Sequence, residues 1–158
     1  WPETSKMILV LLMFIGACAG STGGGFKISR LLILCKAIPK QLSLVIHPRE
    51  VKVIRMDGKP IDHNTLRSTN VYLAIYFFIL LVSTLLISVD NFNLTTNFTA
   101  VASTLNNIGP GLDGVGPTSN FGMYSDFSKF VLMFDMLAGR LELYPLLILF
   151  MPSLWRRK

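Results

Sequence analysis

The sequence carries little charge for its length. Only 15% of its 158 residues are Asp, Glu, Lys or Arg, whereas a soluble domain usually has about 25%. An ordinary water-soluble domain is therefore disfavoured. Two cysteines and two histidines offer neither metal-ligand spacing nor a disulfide framework. Cys18 and Cys35 each stand alone in an apolar stretch, and both are expected to be small buried hydrophobes. No nucleophile–base pair is visible, so the chain does not read as an enzyme, and no cofactor is expected. The opening Trp1-Pro-Glu-Thr4 lacks the Met and basic n-region of a signal peptide. It reads as cut from something longer.

What is abundant is apolar. Hydrophobic residues make up 51% of the chain, with 11 Phe and 7 Met, which makes a lipid bilayer the expected main solvent. The net charge of +6 does not point to nucleic acid. Lys and Arg gather between the hydrophobic runs and at the C-terminus, as topology signals do.

The first apolar run is Met7 to Ile15, extended to about Ala19, with Pro2 and Glu3 suited to a helix start. Gly20-Ser-Thr-Gly-Gly-Gly25 breaks it, and a helical pattern resumes from Phe26 to Ala37. Each half is too short to cross the bilayer's ~30 Å core at 1.5 Å per residue, so the pair reads as one broken helix. Residues 39–68 are polar and basic, with Asp57-Gly58 as a turn and a short hairpin expected around Val51, Val53 and Ile61. Val71 to Val89 is uncharged and long enough for one transmembrane helix. A short helix follows, spanning Thr99 to Leu105 at its narrowest and 95–106 at its widest. Pro110 and Gly109 are expected to end it. Phe127 to Trp155 reads as a last long helix, with kinks at Pro145 and Pro152. The segment 90–126 has three Asp and no Lys or Arg. The positive-inside rule therefore places connector 39–69 and the C-terminus in the cytoplasm and Asn107 on the outer side.

Helix, half-helix, Gly-containing loop and helix in succession form a pore-loop unit. Non-helical backbone at membrane depth is tolerated where it lines a watery cavity or is buried in protein. If Asn107, Ile108 and Gly109 are extended, their carbonyls can replace the water around a cation. An ordinary outer loop with a Gly-Pro turn is the alternative. The Gly20–Gly25 run is no phosphate loop, because Phe26 separates Gly25 from Lys27 and Ile28 stands where a hydroxyl belongs. A Gly16-x-x-x-Gly20 packing face leaves Gly23-Gly24-Gly25 unexplained, each costing about 1 kcal/mol inside a helix. A pore-facing intramembrane loop is favoured, with Ser21 and Thr22 satisfying freed backbone groups. Arg140, halfway along a membrane helix, needs an interior partner. Asp135 and Glu142 are poorly spaced for that role, and carbonyls of the Gly-rich loop are better candidates.

Four stretches then carry a resemblance. Phe14-Ile-Gly-Ala-Cys-Ala-Gly-Ser-Thr-Gly-Gly-Gly-Phe-Lys27, Ile46-His-Pro-Arg49, Asn106-Asn-Ile-Gly-Pro-Gly111 and Gly139-Arg-Leu-Glu142 resemble, in order, the membrane subunit of bacterial Trk potassium transporters, in the Trk/Ktr/HKT family. The resemblance implies an all-α integral membrane protein of the bacterial inner membrane, built from helix–pore-loop–helix repeats around a four-repeat cation pore. Residues 1–38 would be the broken second helix of the third repeat, 39–69 a cytoplasmic connector, and 70–158 the fourth repeat. That is about one and a half repeats, with the upstream ones needed to close the pore. The implied function is selective potassium uptake. Asn107, Ile108 and Gly109 would form the filter, and potassium, the substrate, would bind at its carbonyls. Gly20, Ser21, Thr22, Gly23, Gly24 and Gly25 would form a gate on which Arg140 leans. A homodimer and a cytoplasmic nucleotide-binding regulatory subunit are also implied. A membrane anchor whose glycines only pack helices is the alternative.

Overall fold

The computed structural model describes residues 2–16, 18, 24–47, 54–56 and 59–141. It holds five α-helices: α1 (Glu3–Phe14), α2 (Ile28–Ile46), α3 (His63–Ile87), α4 (Leu94–Leu105) and α5 (Asp126–Arg140). A small antiparallel hairpin, β1 (Arg55–Met56) with β2 (Lys59–Pro60), pairs Arg55 with Pro60 and Met56 with Lys59. Over the described residues the expected hairpin is present, with Ile61 N–H also bonding to the Ile54 carbonyl at 2.8 Å. Val51, Val53, Asp57 and Gly58 lie outside the described residues, as do Pro145, Pro152 and all of the expected last helix beyond Leu141; α5 ends at Arg140.

Helix α3 explains the architecture. Its 25 residues reach about 38 Å at 1.5 Å per residue, more than the ~30 Å hydrocarbon core. By length and composition, 64–90 can cross a membrane. Its inner stripe is Thr69, Tyr72, Tyr76, Leu80, Ser83 and Ile87, all buried at helical spacing. Phe77, Phe78, Leu81 and Leu85 face outward. Hydroxyls inside and phenyls outside suit lipid rather than water as the surrounding solvent.

Helix α4 is enclosed on nearly every side, with Thr96, Asn97 and Thr99 through Leu105 all buried. Its 12 residues reach about 18 Å, too short to span. It starts at Leu94 rather than Thr99 because the Asn93 side chain accepts from Thr95 N and caps the first turn. The end of α3 and the start of α5 are tied together as well. Asp90 accepts from the backbone N–H and the hydroxyl of Ser125 at 3.0 and 3.1 Å, and Ser125 caps α5. Below them Tyr124 donates to Asn97 Oδ1 at 3.0 Å. Burial pushes the Tyr124 phenol up to about 12, so it stays a neutral donor.

Several boundaries differ from the sequence reading. α1 ends at Phe14, not near Ala19, because Gly16 N–H bonds to the Phe26 carbonyl at 2.9 Å and closes the base of a loop. α2 runs through Pro39 to Ile46. A proline removes one helical donor, but no glycine or turn residue follows it here, so the helix resumes and is longer than the expected half-span. α3 begins at His63, eight residues before its apolar run. Cys18 and Cys35 are exposed rather than buried, Cys35 lying on the outward stripe of α2 with Leu32, Ile38 and Leu42.

Inside the fold, Ser83 of α3 donates to Asp135 Oδ1 of α5 at 2.7 Å, and Asp135 is fully buried. Ser83→Ala leaves that carboxyl without its donor. The expected loss is about 1–3 kcal/mol, the penalty for an unsatisfied buried polar group. Thermal unfolding of the purified protein checks it; an unchanged midpoint would show that the bond contributes nothing.

Candidate functional site

The site is built where α4 stops. Ala102, Ser103 and Thr104 would each present an unsatisfied carbonyl at a free helix end. Instead Asn107 N–H bonds to Thr104 O and Ile108 N–H to Ser103 O, both at 3.0 Å, while Asn106 N–H bonds to Ala102 O. This is a Schellman motif with Asn107 as its left-handed residue, φ 55°. The conditional expectation that Asn107 is extended is thereby corrected. Asn107, rather than Pro110, stops the helix, because a short polar side chain tolerates this backbone where most residues do not.

From Ile108 the chain turns back along α4, and hydroxyls on one face of the helix hold it there. Ser103 donates to Gly109 O at 2.6 Å, Thr99 accepts from Leu112 N at 3.0 Å, and Thr96 accepts from Gly114 N at 3.4 Å. Positions 96, 99 and 103 share a helical face. That spacing is a readable signal which the sequence reading passed over. Gly109 has φ +113°, and a Cβ there would meet nothing within 4 Å. Its glycine is therefore demanded by the backbone and not by crowding.

The described end of the Gly-rich loop packs directly on this helix end. A Cβ at Gly25, whose φ is +79°, would collide with Asn106 Oδ1. One at Gly24 would stand 2.6 Å from Asn107 Nδ2. From the other side, Tyr76 donates to Asn106 Oδ1 at 2.9 Å and Tyr72 to Gly25 O at 3.4 Å. The Arg30 guanidinium lies 4.0 Å from the Tyr72 ring centre, within cation–π range. Neither tyrosine nor Arg30 was singled out from sequence. Gly16 packs against the Phe26 carbonyl of its own loop, so it serves the loop base and not a helix–helix face.

An open cavity of about 990 Å³ brings these groups together. Gly16, Gly24, Asn107, Ile108 and Arg140 all line it. Gly109 instead lines a neighbouring cavity of about 460 Å³, which Asn107 and Ile108 also border. Arg140 is not paired with Asp135, whose Oδ1 is taken by Ser83 and whose Oδ2 has no hydrogen-bond partner. Gly20, Ser21, Thr22, Gly23 and Glu142 lie outside the described residues.

An inward-polar, outward-apolar bundle enclosing a helix too short to span defines the class: an all-α integral membrane protein. The chain belongs to the TrkH family of cation transport proteins, whose model matches residues 1–157. It is 38% identical to the Trk system potassium uptake protein TrkH of Vibrio parahaemolyticus over 156 residues, covering 99% of this chain and 32% of that one. It is 33% identical to the Trk system potassium uptake protein TrkG of Escherichia coli, with the same coverage. The crystal structure of the potassium transporter TrkH from Vibrio parahaemolyticus matches with a TM-score of 0.87, over 99% of this chain and 33% of that one. The chain thus spans about a third of the length of these relatives.

Proposed function

We propose that this chain forms about one and a half of the four helix–pore-loop–helix repeats of a potassium-uptake pore in a bacterial inner membrane. Residues 1–38 supply the broken second helix of the third repeat, 39–69 a connector facing the cytoplasm, and 70–158 the fourth repeat. The connector keeps its place in this reading, though α2 and α3 extend into it from both sides. Potassium passes along Asn107, Ile108 and Gly109, and the Gly20–Gly25 loop with Arg140 gates it.

One observation carries this reading: Gly24 and Gly25, the described end of the Gly-rich loop, rest on the end of a non-spanning helix, with Arg140 on the same cavity as Gly24. The bond from Ser103 to the Gly109 carbonyl does not exclude a cation there, since a carbonyl oxygen has two lone pairs. The regulatory subunit and the homodimer expected from the Trk resemblance belong to the same proposal. An anchor whose glycines merely pack helices accounts for neither the positive φ of Gly109 nor the loop on Asn106 and Asn107.

Gly109→Ser tests the filter. A side chain at φ +113° strains the backbone by about 1–3 kcal/mol and pulls the carbonyl from its place. Relative uptake of potassium over sodium by the complete transporter should fall; an unchanged ratio would remove Gly109 from the filter. Topology has its own test. A protease added outside intact cells should leave 47–62, the stretch between α2 and α3, uncut. Cleavage there from outside would invert the topology and sink the pore assignment.

A further inference from the structure

The cap explains the backbone of Asn107 but not its side chain, because glycine adopts the left-handed conformation at least as readily. Its carboxamide occupies a slot made by two glycines on different elements. Nδ2 stands 2.6 Å from where a Gly24 Cβ would be and 2.7 Å from where a Gly139 Cβ would be. It donates to the Met136 carbonyl of α5 at 3.2 Å. The amide therefore touches the Gly-rich loop on one side and α5 on the other, one residue before Arg140. Along the chain, Asn107 is followed directly by Ile108 and Gly109.

We propose that the Asn107 side chain is a positioning element that passes displacement of the Gly-rich loop to the filter backbone. The inference rests on the filter-and-gate reading above and gives it a mechanical link. Gly24 sits against the amide, α5 backs it through the Met136 carbonyl, and the left-handed φ of Asn107 sets where Ile108 goes. Asn106 holds the opposite flank through Tyr76, which donates to its Oδ1. A shift of Gly24 toward α5 presses on the amide, which the Met136 carbonyl backs, and so turns the Asn107 backbone and the carbonyls after it. Asn107 thus acts on the ion path through its neighbours, whatever its own carbonyl contributes.

The experiment measures the potassium-to-sodium uptake ratio of the complete transporter in liposomes. It compares Asn107→Gly, Gly24→Ala and the double variant with wild type. Asn107→Gly keeps the left-handed backbone and removes only the amide. If the ratio stays at the wild-type value, Asn107 is a helix cap and the proposal is overturned. The expected result is a fall of about threefold or more, within the range seen for coupling residues. Gly24→Ala presses a methyl against the amide and should also lower the ratio. In the Asn107→Gly background that methyl meets no amide, leaving the Asn106 carbonyl at 3.2 Å, which a small shift accommodates, so most of its added effect should vanish. An equal effect in both backgrounds would show that the loop does not act through Asn107. If Gly24→Ala protein does not assemble, an unchanged ratio in Asn107→Gly still overturns the proposal. Gly109→Ser in the same assay separates the two ideas. A lowered ratio there beside an unchanged Asn107→Gly removes only the link, whereas an unchanged Gly109→Ser removes the filter.

Discussion

Resting potassium flux through the complete transporter is expected to rise when Arg140 is replaced by alanine. The guanidinium cannot lose its charge in a protein, and it lines the same cavity as Gly24, Asn107 and Ile108. In the proposed pore it donates to carbonyls of the Gly-rich loop, holding the loop across the path, while its charge repels cations beneath the filter. A hydrogen bond to a charged group contributes about 1.5–3 kcal/mol. Losing one such bond from the closed state favours the open state by roughly tenfold to a hundredfold. The measurement is flux through the purified complete transporter in liposomes without any regulatory partner. Potassium should still be preferred over sodium, because Asn107, Ile108 and Gly109 are themselves unchanged, but the ratio should fall somewhat as the freed loop acts on the Asn107 amide. Lysine at 140 should restore the block only in part, keeping the charge but not the planar fork of donors. Folded Arg140→Ala protein with unchanged or lower flux would show that Arg140 is no latch.

Among the described glycines, Gly139→Ala should be the most damaging added methyl. An ideal Cβ at Gly139 collides with the Leu105 carbonyl oxygen and lies 2.7 Å from Asn107 Nδ2. Both Gly139 and Leu105 are buried, and the obstacle is backbone, which no rotamer change can move aside. Overpacking of this kind costs about 1–3 kcal/mol and sometimes more. Here α5 must back away from α4, so the upper part of that range applies. The expected outcome is a lower thermal midpoint and lower membrane yield than Ala138→Gly, which removes a methyl instead of adding one. Equal stability of the two variants would mean that α4 and α5 do not approach as closely as described.

Much of this arrangement is legible in the sequence, for identifiable reasons. The uncharged run from Val71, the short helix before Asn106 and the glycine break after α1 are each set by strong local rules. Helix ends were less legible, because hydropathy reports where lipid begins, not where hydrogen bonding stops. His63 through Thr69 is polar and still helical. Pro39 is a breaker by reputation, yet it lies inside α2. At the helix end, Gly109 and Pro110 are the stronger breakers by residue type, yet Asn107 takes the left-handed turn. The cysteines were misjudged because an apolar neighbourhood in sequence can be the outward face of a helix. The contacts of Gly24 and Gly25 with Asn106 and Asn107, about 80 positions apart in sequence, have no local signature at all. Only the fold joins them.

The inner stripe of α3 limits how such a machine can move. Turning this helix about its axis by one residue, about 100°, would carry Ser83 and both stacked tyrosines toward hydrocarbon. It would also strip Asp135, Asn106 and Gly25 of their donors at once. Rotation of α3 is therefore not an available gating stroke. The helix is a fixed post, and any opening must come from parts that can shift without unmaking its polar seam.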